Sequence, residues 1–159
     1  MTIQQIFRTT LLGAALALAA CSTAKIDDPV EQERLRNLPA PADMALVYFV
    51  RPAAVGAAIS MSVTCDGIPI GATNGKRYIF AYVKPGKREF VSKAENKDDL
   101  LIELEAGKTY YFEQEVKMGI LYARNRLARL EDADGKRKLA KCKLSGDCPA
   151  YVPASAPKK

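Results

Sequence analysis

The chain has 159 residues, a length that suits one globular domain with a single core. It carries 24 Lys and Arg against 18 Asp and Glu, and it contains no histidine, which excludes Ser-His-Asp and Cys-His catalytic sites and histidine-ligated zinc. The charge is uneven, because residues 117–159 hold eleven basic and four acidic residues, a net charge of +7. This basic third could face anionic lipid headgroups or lipopolysaccharide phosphates, although a solvent-exposed basic surface is the commoner explanation.

The first twenty residues follow the plan of an export signal. Arg8 precedes an apolar segment, and the small residues Ala19 and Ala20 come directly before Cys21. The apolar run of eleven residues is too short for a bilayer span, which needs about twenty. An apolar run that ends in small residues and a cysteine is the pattern of a lipoprotein signal peptide. We therefore predict cleavage between Ala20 and Cys21 and lipidation of Cys21; the alternative is an ordinary secretory signal with Cys21 as an incidental thiol.

A lipid on Cys21 predicts where the protein is located. Two or three acyl chains hold a protein on a membrane almost permanently, whereas one chain does not. The next residue is Ser22, which in a Gram-negative cell resembles an outer-membrane address. We expect a cell-envelope protein, anchored in the outer membrane and facing the periplasm. Export argues against a nucleic-acid partner.

The remaining chain divides into three parts by composition. Residues 21–43 are polar and contain three prolines, which predicts a flexible tether between lipid and domain. Residues 44–148 contain the β-rich segments and a short helical segment, which we expect around 135–142. Residues 149–159 contain three more prolines and are predicted to form a disordered tail.

Eight β-rich runs lie between the tether and the tail, and turn residues separate them. The runs are 45–51, 58–65, 68–72, 77–83, 88–92, 100–105, 109–118 and 120–130. Their regular spacing predicts a mainly β protein, an antiparallel sandwich of seven to eight strands with a short C-terminal helix. Pro69 lacks an amide proton, so the run 68–72 should form an edge strand.

Several dipeptides predict how these strands are joined. Asp66-Gly67, Asn74-Gly75 and Ala106-Gly107 are typical of hairpin turns, and Pro85-Gly86 suits a type II turn.

The last two runs suggest a strand register. If Met118-Gly119 is a two-residue loop, Val116 lies opposite Leu121 and Glu113 lies opposite Arg124. On that register one face of the hairpin carries paired opposite charges, and such pairs contribute about 0.2–1 kcal/mol each.

Three cysteines remain after Cys21, and an exported protein meets an oxidising compartment in which disulfides persist. Cys142 and Cys148 enclose a short loop that contains a glycine, which favours a bridge between them and leaves Cys65 as a small buried residue. The alternative bridge joins Cys65 to Cys142, and the sequence does not choose between the two. No metal site is predicted, because three cysteines without histidine or a CxxC pair lack zinc-ligand spacing.

Four segments together resemble a known family: 46–52 (LVYFVRP), 65–71 (CDGIPIG), 82–87 (YVKPGK) and 104–112 (LEAGKTYYF). They are similar, in the same order, to a domain-of-unknown-function family of bacterial lipoproteins and exported proteins, family 2846. The resemblance covers residue 45 to about residue 130. It implies a prealbumin-like or Ig-like β sandwich and an envelope location. It implies no catalytic residues.

Arg51 motivates a single site hypothesis. An arginine at the end of the first core strand, near Arg124 and Arg126 if their strands are neighbours, could bind a phosphate or a carboxylate. The alternative is that Arg51 joins strands through Glu113 or Glu115.

We expect a non-catalytic binding or structural module of the envelope, without cofactors. Its candidate partners, besides the membrane, are an envelope protein, peptidoglycan and lipopolysaccharide. The alternative is an envelope enzyme, or an enzyme accessory, with an arginine and carboxylate site.

Overall fold

The computed structural model describes residues 28–118, 123–145 and 150–152. Within these ranges the helices and strands follow in chain order as α1 (Pro29–Arg36), β1 (Ala45–Arg51), β2 (Met61–Cys65), β3 (Ile68–Thr73), β4 (Arg77–Val83), β5 (Gly86–Lys93), β6 (Lys97–Leu104), β7 (Thr109–Met118), β8 (Ala123–Leu130), α2 (Asp132–Leu139), β9 (Lys143–Leu144) and β10 (Ala150–Val152).

The strands form two sheets that pack as a β sandwich. The larger sheet has the order β10-β4-β1-β7-β8, and β9 also pairs with β4; the smaller sheet has the order β3-β2-β5-β6. Most neighbouring strands are antiparallel, but β1 with β7, β4 with β9 and β4 with β10 are parallel pairs. The predicted mainly β, antiparallel sandwich is confirmed, and the three parallel pairs lie within these mostly antiparallel sheets.

Two hydrophobic clusters lie on opposite faces of the larger sheet. The interior cluster fills the space between the sheets and includes Phe49 and Phe90. The outer cluster lies on the other face, where Leu35 of α1 and Leu139 of α2 cover Tyr48. All seven residues of β1 are buried because this strand lies between the two clusters. A strand that is buried on both faces shows a continuous apolar run instead of an alternating one, as the segment ALVYFV does.

The turn predictions have mixed outcomes. Asp66 and Gly67 have φ values of 50° and 81° and join β2 to β3 as a tight hairpin. Asn74-Gly75 and Ala106-Gly107 instead connect strands of different sheets, so both hairpin predictions are wrong. Pro69 lies in β3, at the edge of the smaller sheet, as predicted.

The register predicted for the last two long strands is wrong by four residues. In the structure Glu113 lies opposite Ala128, and Lys117 lies opposite Arg124. The reason is that four residues separate the paired Met118 and Ala123, where a two-residue loop was predicted. An even shift leaves each side chain on the same face of the sheet that the predicted register gave it.

The predicted tether of residues 21–43 is wrong from residue 28 onward, because α1 packs on the domain. The Asp28 side chain accepts a hydrogen bond from the Val30 amide at 3.0 Å and caps the helix, and Pro29 occupies its first turn. Leu35 is buried in the outer cluster. The buried Gln32 side chain accepts a hydrogen bond from the Leu144 amide at 3.1 Å.

The predicted tail is also partly ordered. Residues 150–152 form β10, which pairs with Ala81, Tyr82 and Val83 of β4. A free strand edge next to a core strand provides main-chain hydrogen bonds that a disordered tail would not make. The C-terminal helix exists, but it spans 132–139 and not 135–142.

One open side of the sandwich is closed by side chains. The backbone amides of Asn125 and Leu127, at the outer edge of β8, donate to the side-chain oxygens of Asn96 and Asp98, both at 2.6 Å. Asp98 therefore has a structural role at a strand edge. Among the described residues, no helix has the length and apolar composition of a bilayer span.

Candidate functional site

Arg51 does not form the predicted anion site. It ends β1 as expected, but its side chain is completely buried inside the sandwich. Its guanidinium donates to three main-chain carbonyls: Ile59 at 2.5 Å, Gly56 at 2.6 Å and Thr73 at 3.4 Å. Burial lowers the pKa of Arg51, yet a guanidinium remains charged at neutral pH. Arg51 thus holds the 52–60 segment against the end of the sandwich.

The alternative role of Arg51, an ion pair with Glu113 or Glu115, is also wrong. In the parallel register of β1 and β7, Val50 is opposite Glu113, and both face outward, whereas Arg51 faces inward. Glu113 instead pairs with Lys138 of α2. The opposite pleats of the strand therefore separate the arginine from these carboxylates.

Arg124 and Arg126 lie on β8 and do not approach Arg51, because β7 runs between β8 and β1. Arg126 is 3.7 Å from Glu115, and both side chains are substantially exposed. Arg124 lies opposite Lys117, a cross-strand pair of like charge. The three arginines that the sequence grouped together are thus in two separate places.

A buried hydrogen-bond network occupies the same end of the interior as Arg51. Thr73 donates to Gln114 at 2.5 Å, Gln114 donates to Ser92 at 2.7 Å, and Ser92 donates to Asn125 at 3.0 Å. Each of these side chains is at most 3% exposed. The Nδ2 of Asn125 has no hydrogen-bond partner among the described residues. Buried polar groups joined by such a chain of hydrogen bonds help to fix one packing arrangement, so we assign this network a structural role.

A concave site lies at the other end of the sandwich. It is a cleft of about 620 Å³ between the end of α1, the connection from β6 to β7, the end of β8 and the start of α2. We call it the basic cleft. Its lining residues are Arg36, Asn37, Leu38, Glu105, Gly107, Lys108, Thr109, Tyr110, Tyr111, Arg129, Asp132 and Lys136. Its volume is in the range of pockets that bind small molecules, about 300–1,000 Å³.

The basic cleft contains four cationic side chains and two carboxylates. Lys108 and Glu105 form an ion pair of 2.8 Å with both side chains more than half exposed, so this pair contributes little to stability. The hydrogen bond that Lys108 donates to Glu105 raises the pKa of Lys108. Arg129 and Lys136 form no ion pair with any residue that the structure describes.

Two tyrosine side chains, Tyr110 and Tyr111, form part of the cleft wall. The Arg129 guanidinium lies 5.4 Å from the centre of the Tyr110 ring, a cation–π distance. The Tyr110 hydroxyl accepts a hydrogen bond from the Glu105 amide at 2.9 Å, which ties the β6–β7 connection to the sheet. Burial raises the pKa of Tyr111, and the nearby Asp132 carboxylate raises it further. At neutral pH the Tyr111 hydroxyl is therefore neutral.

Arg36 joins α1 to the wall of the cleft. Its Nη2 donates to the Cys142 carbonyl at 2.7 Å, and its Nη1 lies 3.5 Å from Glu33. Its Nε is buried and has no hydrogen-bond partner among the described residues. Arg36 is thus held in position from α1, with one donor left over.

The cysteines that the structure describes are both free thiols. Cys65 is a buried residue of the interior cluster, as predicted, and Cys142 belongs to the outer cluster. The larger sheet separates the two clusters, so the alternative bridge between Cys65 and Cys142 is wrong. Burial raises the pKa of the Cys65 thiol to about 12 and of the Cys142 thiol to about 11. Both thiols are therefore protonated and unreactive at neutral pH.

Other predicted site residues lie outside the described residues. These are Ala20 and Cys21 at the predicted cleavage and lipidation site, and Cys148, the predicted partner of Cys142.

Sequence reasoning missed the basic cleft because four separated segments build it. Arg36 was assigned to a flexible tether, and Lys108 to a hairpin turn. Only the excess of basic residues after position 117, which includes Arg129 and Lys136, pointed toward this site. A signal for α1 was present, since Asp28-Pro29 is a helix cap followed by a proline at the first helical position.

Comparison with known proteins gives a family but no activity. The chain is 25% identical over 146 residues to an uncharacterised protein of Haemophilus influenzae, an alignment that covers 90% of this chain and 87% of the relative. The model of the family described as "Protein of unknown function (DUF2846)" matches residues 41–124, which is 84 of the 159 residues. The matched segment begins before β1 and extends into β8, and so contains most of both sheets. The chain therefore belongs to this DUF2846 family of proteins of unknown function.

Proposed function

We propose that this protein is a lipid-anchored, non-catalytic binding module of the cell envelope. The lipid on Cys21 would hold it on the outer membrane, with the domain facing the periplasm. The observation that carries the proposal is that α1 has two roles. Its last residue, Arg36, lines the basic cleft together with Asn37 and Leu38, which follow it, and its N-cap, Asp28, comes seven positions after Cys21 in the sequence.

The contacts of α1 support a short connection to the membrane. The Tyr48 hydroxyl donates to the Leu35 carbonyl at 2.7 Å, and the Gln32 and Arg36 side chains bond to the main chain near α2 and β9. Six residues, 22–27, lie between Cys21 and Asp28, the N-cap of α1, and Gln32 and Leu35 of this helix are buried against the domain. A connection of this length spans at most about 25 Å when fully extended. A lipid at Cys21 would therefore keep the basic cleft near the membrane surface.

The charge of the cleft supports an anionic partner. Its lining has two more cationic side chains than carboxylates, and anionic groups occur in lipopolysaccharide, in peptidoglycan and on envelope proteins. The enzyme alternative depended on Arg51 meeting buried acids, and Arg51 donates to main-chain carbonyls instead. We therefore propose binding and not catalysis.

Replacement of the lipidation residue tests the anchor. In cells that express Cys21→Ala, we expect the protein to lose incorporation of labelled palmitate and to move from the membrane fraction to the soluble fraction. The matched control is Cys142→Ala, which removes a buried thiol in the folded domain and should leave both measurements unchanged. A Cys21→Ala protein that is still labelled and still sediments with the membrane would contradict the anchor.

A further inference from the structure

The basic cleft has a charge surplus that its own residues do not neutralise. Of its four cations, Lys108 is paired within the cleft by Glu105. Arg36 is paired with Glu33 at 3.5 Å. Arg129 and Lys136 have no ion-pair partner in the described part of the chain. Both residues line the cleft, so its two unpaired cations suit a ligand that carries negative charge.

The size of the surplus matches one kind of anion. Arg36 is paired with Glu33 and Lys108 with Glu105, so Arg129 and Lys136 are the two cations of the lining that no ion pair within the described residues neutralises. A phosphate monoester carries about −1.5 to −2 at pH 7, so it would match the charge of these two cations, whereas one carboxylate would match one of them. An arginine guanidinium also matches the geometry of phosphate oxygens in two parallel hydrogen bonds.

The other polar residues of the cleft suit hydroxyl groups. Asn37, Thr109 and Asp132 line the same concavity, and they offer an amide oxygen, a hydroxyl and a carboxylate that bond to alcohols. The amide nitrogen of Asn37 already donates to Glu33. Asp132 has no ion-pair partner among the described residues, so its oxygens are available as acceptors. A ligand that combines a phosphate with neighbouring hydroxyls would use both parts of the lining. Sugar phosphates have this composition.

We infer that the basic cleft binds a phosphate monoester carried on a sugar, with Arg129 and Lys136 as its direct phosphate contacts. This inference rests on the proposed function, because it names the ligand of the same binding module. A free sugar phosphate and the phosphorylated sugar headgroup of a glycolipid share this chemistry.

The arginines of β8 provide a matched comparison. Arg124 and Arg126 are exposed on the same strand as Arg129, but Arg126 is near Glu115, and neither residue lines the cleft. A nonspecific charge attraction would depend on these two residues as much as on the cleft. A site would depend on the cleft alone.

Calorimetric titration of the full chain in detergent-free buffer, which leaves vesicle probes intact, tests the inference. The probes are glucose 1-phosphate, glucose, and phosphatidylcholine vesicles with and without lipid A. We expect binding of glucose 1-phosphate, of lipid A vesicles or of both, and none of glucose or of plain vesicles. The two phosphate probes distinguish the soluble source from the lipid source. Failure of both phosphate probes overturns the inference.

Paired charge variants locate the binding. Each charge-assisted hydrogen bond lost should weaken binding about tenfold, so Arg129→Gln with Lys136→Gln should weaken it by about 100-fold. The control variant, Arg124→Gln with Arg126→Gln, removes the same charge and should change the affinity by less than about threefold. Lys136→Gln alone changes an exposed helix position, so it should weaken binding about tenfold without affecting folding. Equal losses in both double variants overturn the inference.

The two proposals fail in different ways. If no phosphate probe binds while Cys21 still governs membrane fractionation, the ligand class is wrong and the anchored module stands. If the cleft binds its phosphate probe while Cys21→Ala remains on the membrane, the anchor is wrong and the ligand class stands.

Discussion

The hydroxyl groups of Tyr48 and Tyr78 have opposite effects on stability, although the two side chains are neighbours. Both side chains are fully buried in the outer cluster, with ring centres 6.1 Å apart. The Tyr48 hydroxyl donates to the Leu35 carbonyl at 2.7 Å and so fastens α1 to the sheet. The Tyr78 hydroxyl has no hydrogen-bond partner among the described residues. Loss of the first hydroxyl breaks a contact, whereas loss of the second removes a desolvated polar group.

We expect the two phenylalanine variants to differ in sign. Tyr48→Phe should lower the free energy of unfolding by about 1–2 kcal/mol, because it leaves the Leu35 carbonyl unpaired. Tyr78→Phe should leave it unchanged or raise it by up to about 1 kcal/mol, since the buried hydroxyl there is unsatisfied. Urea unfolding followed by far-UV circular dichroism measures both. Equal destabilisation by the two variants would contradict the assignment of their hydrogen bonds.

At the scale of elements, α2 packs closely against the larger sheet because it has a glycine at the contact. Gly135 lies in the middle of the helix and is buried against β7. A Cβ atom at this position would overlap the ring of Tyr111. The close approach of α2 lets Leu139 reach the outer cluster. Packing therefore outweighs the poor helix propensity of glycine here.

Gly135→Ala separates these two effects. Helix propensity alone predicts a gain of about 1 kcal/mol, whereas the overlap with Tyr111 predicts a loss of about 1–3 kcal/mol. We expect the loss, measured as a lower thermal midpoint. Ala133→Gly, at an exposed position of the same helix, is the control and should cost about 1 kcal/mol through propensity. A Gly135→Ala protein more stable than the parent would show that α2 can move off the sheet at low cost.

For the whole molecule, the buried titratable groups set the response to pH. Burial raises the pKa of Cys142 to about 11, and those of Cys65 and Tyr78 to about 12. Burial likewise raises the pKa of Tyr48 and of Tyr111. The chain has no histidine, so no side chain with an ordinary pKa near neutrality changes its charge between pH 6 and 8.

We expect stability to fall at alkaline pH. The unfolded chain releases these protons near the ordinary values of 9.0 for a thiol and 10.0 for a tyrosine, whereas the folded chain keeps them to higher pH. The stabilisation is therefore complete below about pH 9 and is lost progressively toward pH 12. Urea midpoints at pH 7, 9, 10 and 11 measure the fall. The double variant Cys65→Ala with Cys142→Ala should show a smaller fall of the urea midpoint between pH 9 and 10. A urea midpoint that stays constant up to pH 11 would contradict the burial of these groups.

The strands could be predicted because their signals are local. An apolar run, an alternating pattern or a turn dipeptide acts over a few residues, so β1, β4 and β7 have the predicted bounds. The edge position of β3 also followed from the sequence, because Pro69 lacks an amide donor wherever its neighbours lie. Phe112 lies in the interior cluster although the predicted register was wrong, since an even shift preserves the face of each side chain.

The pairing of strands and the candidate site were decided by tertiary structure alone. Parallel contact of β1 with β7 brings together segments about sixty residues apart, and local propensity does not specify contacts of that range. Arg51 illustrates the consequence, because its neighbours depend on which face of which sheet it occupies. The basic cleft depends on the packing of α1 and α2 beside the β6–β7 connection. The sequence thus determined which side chains are charged, whereas long-range packing determined which of these charged side chains lie together in one cleft.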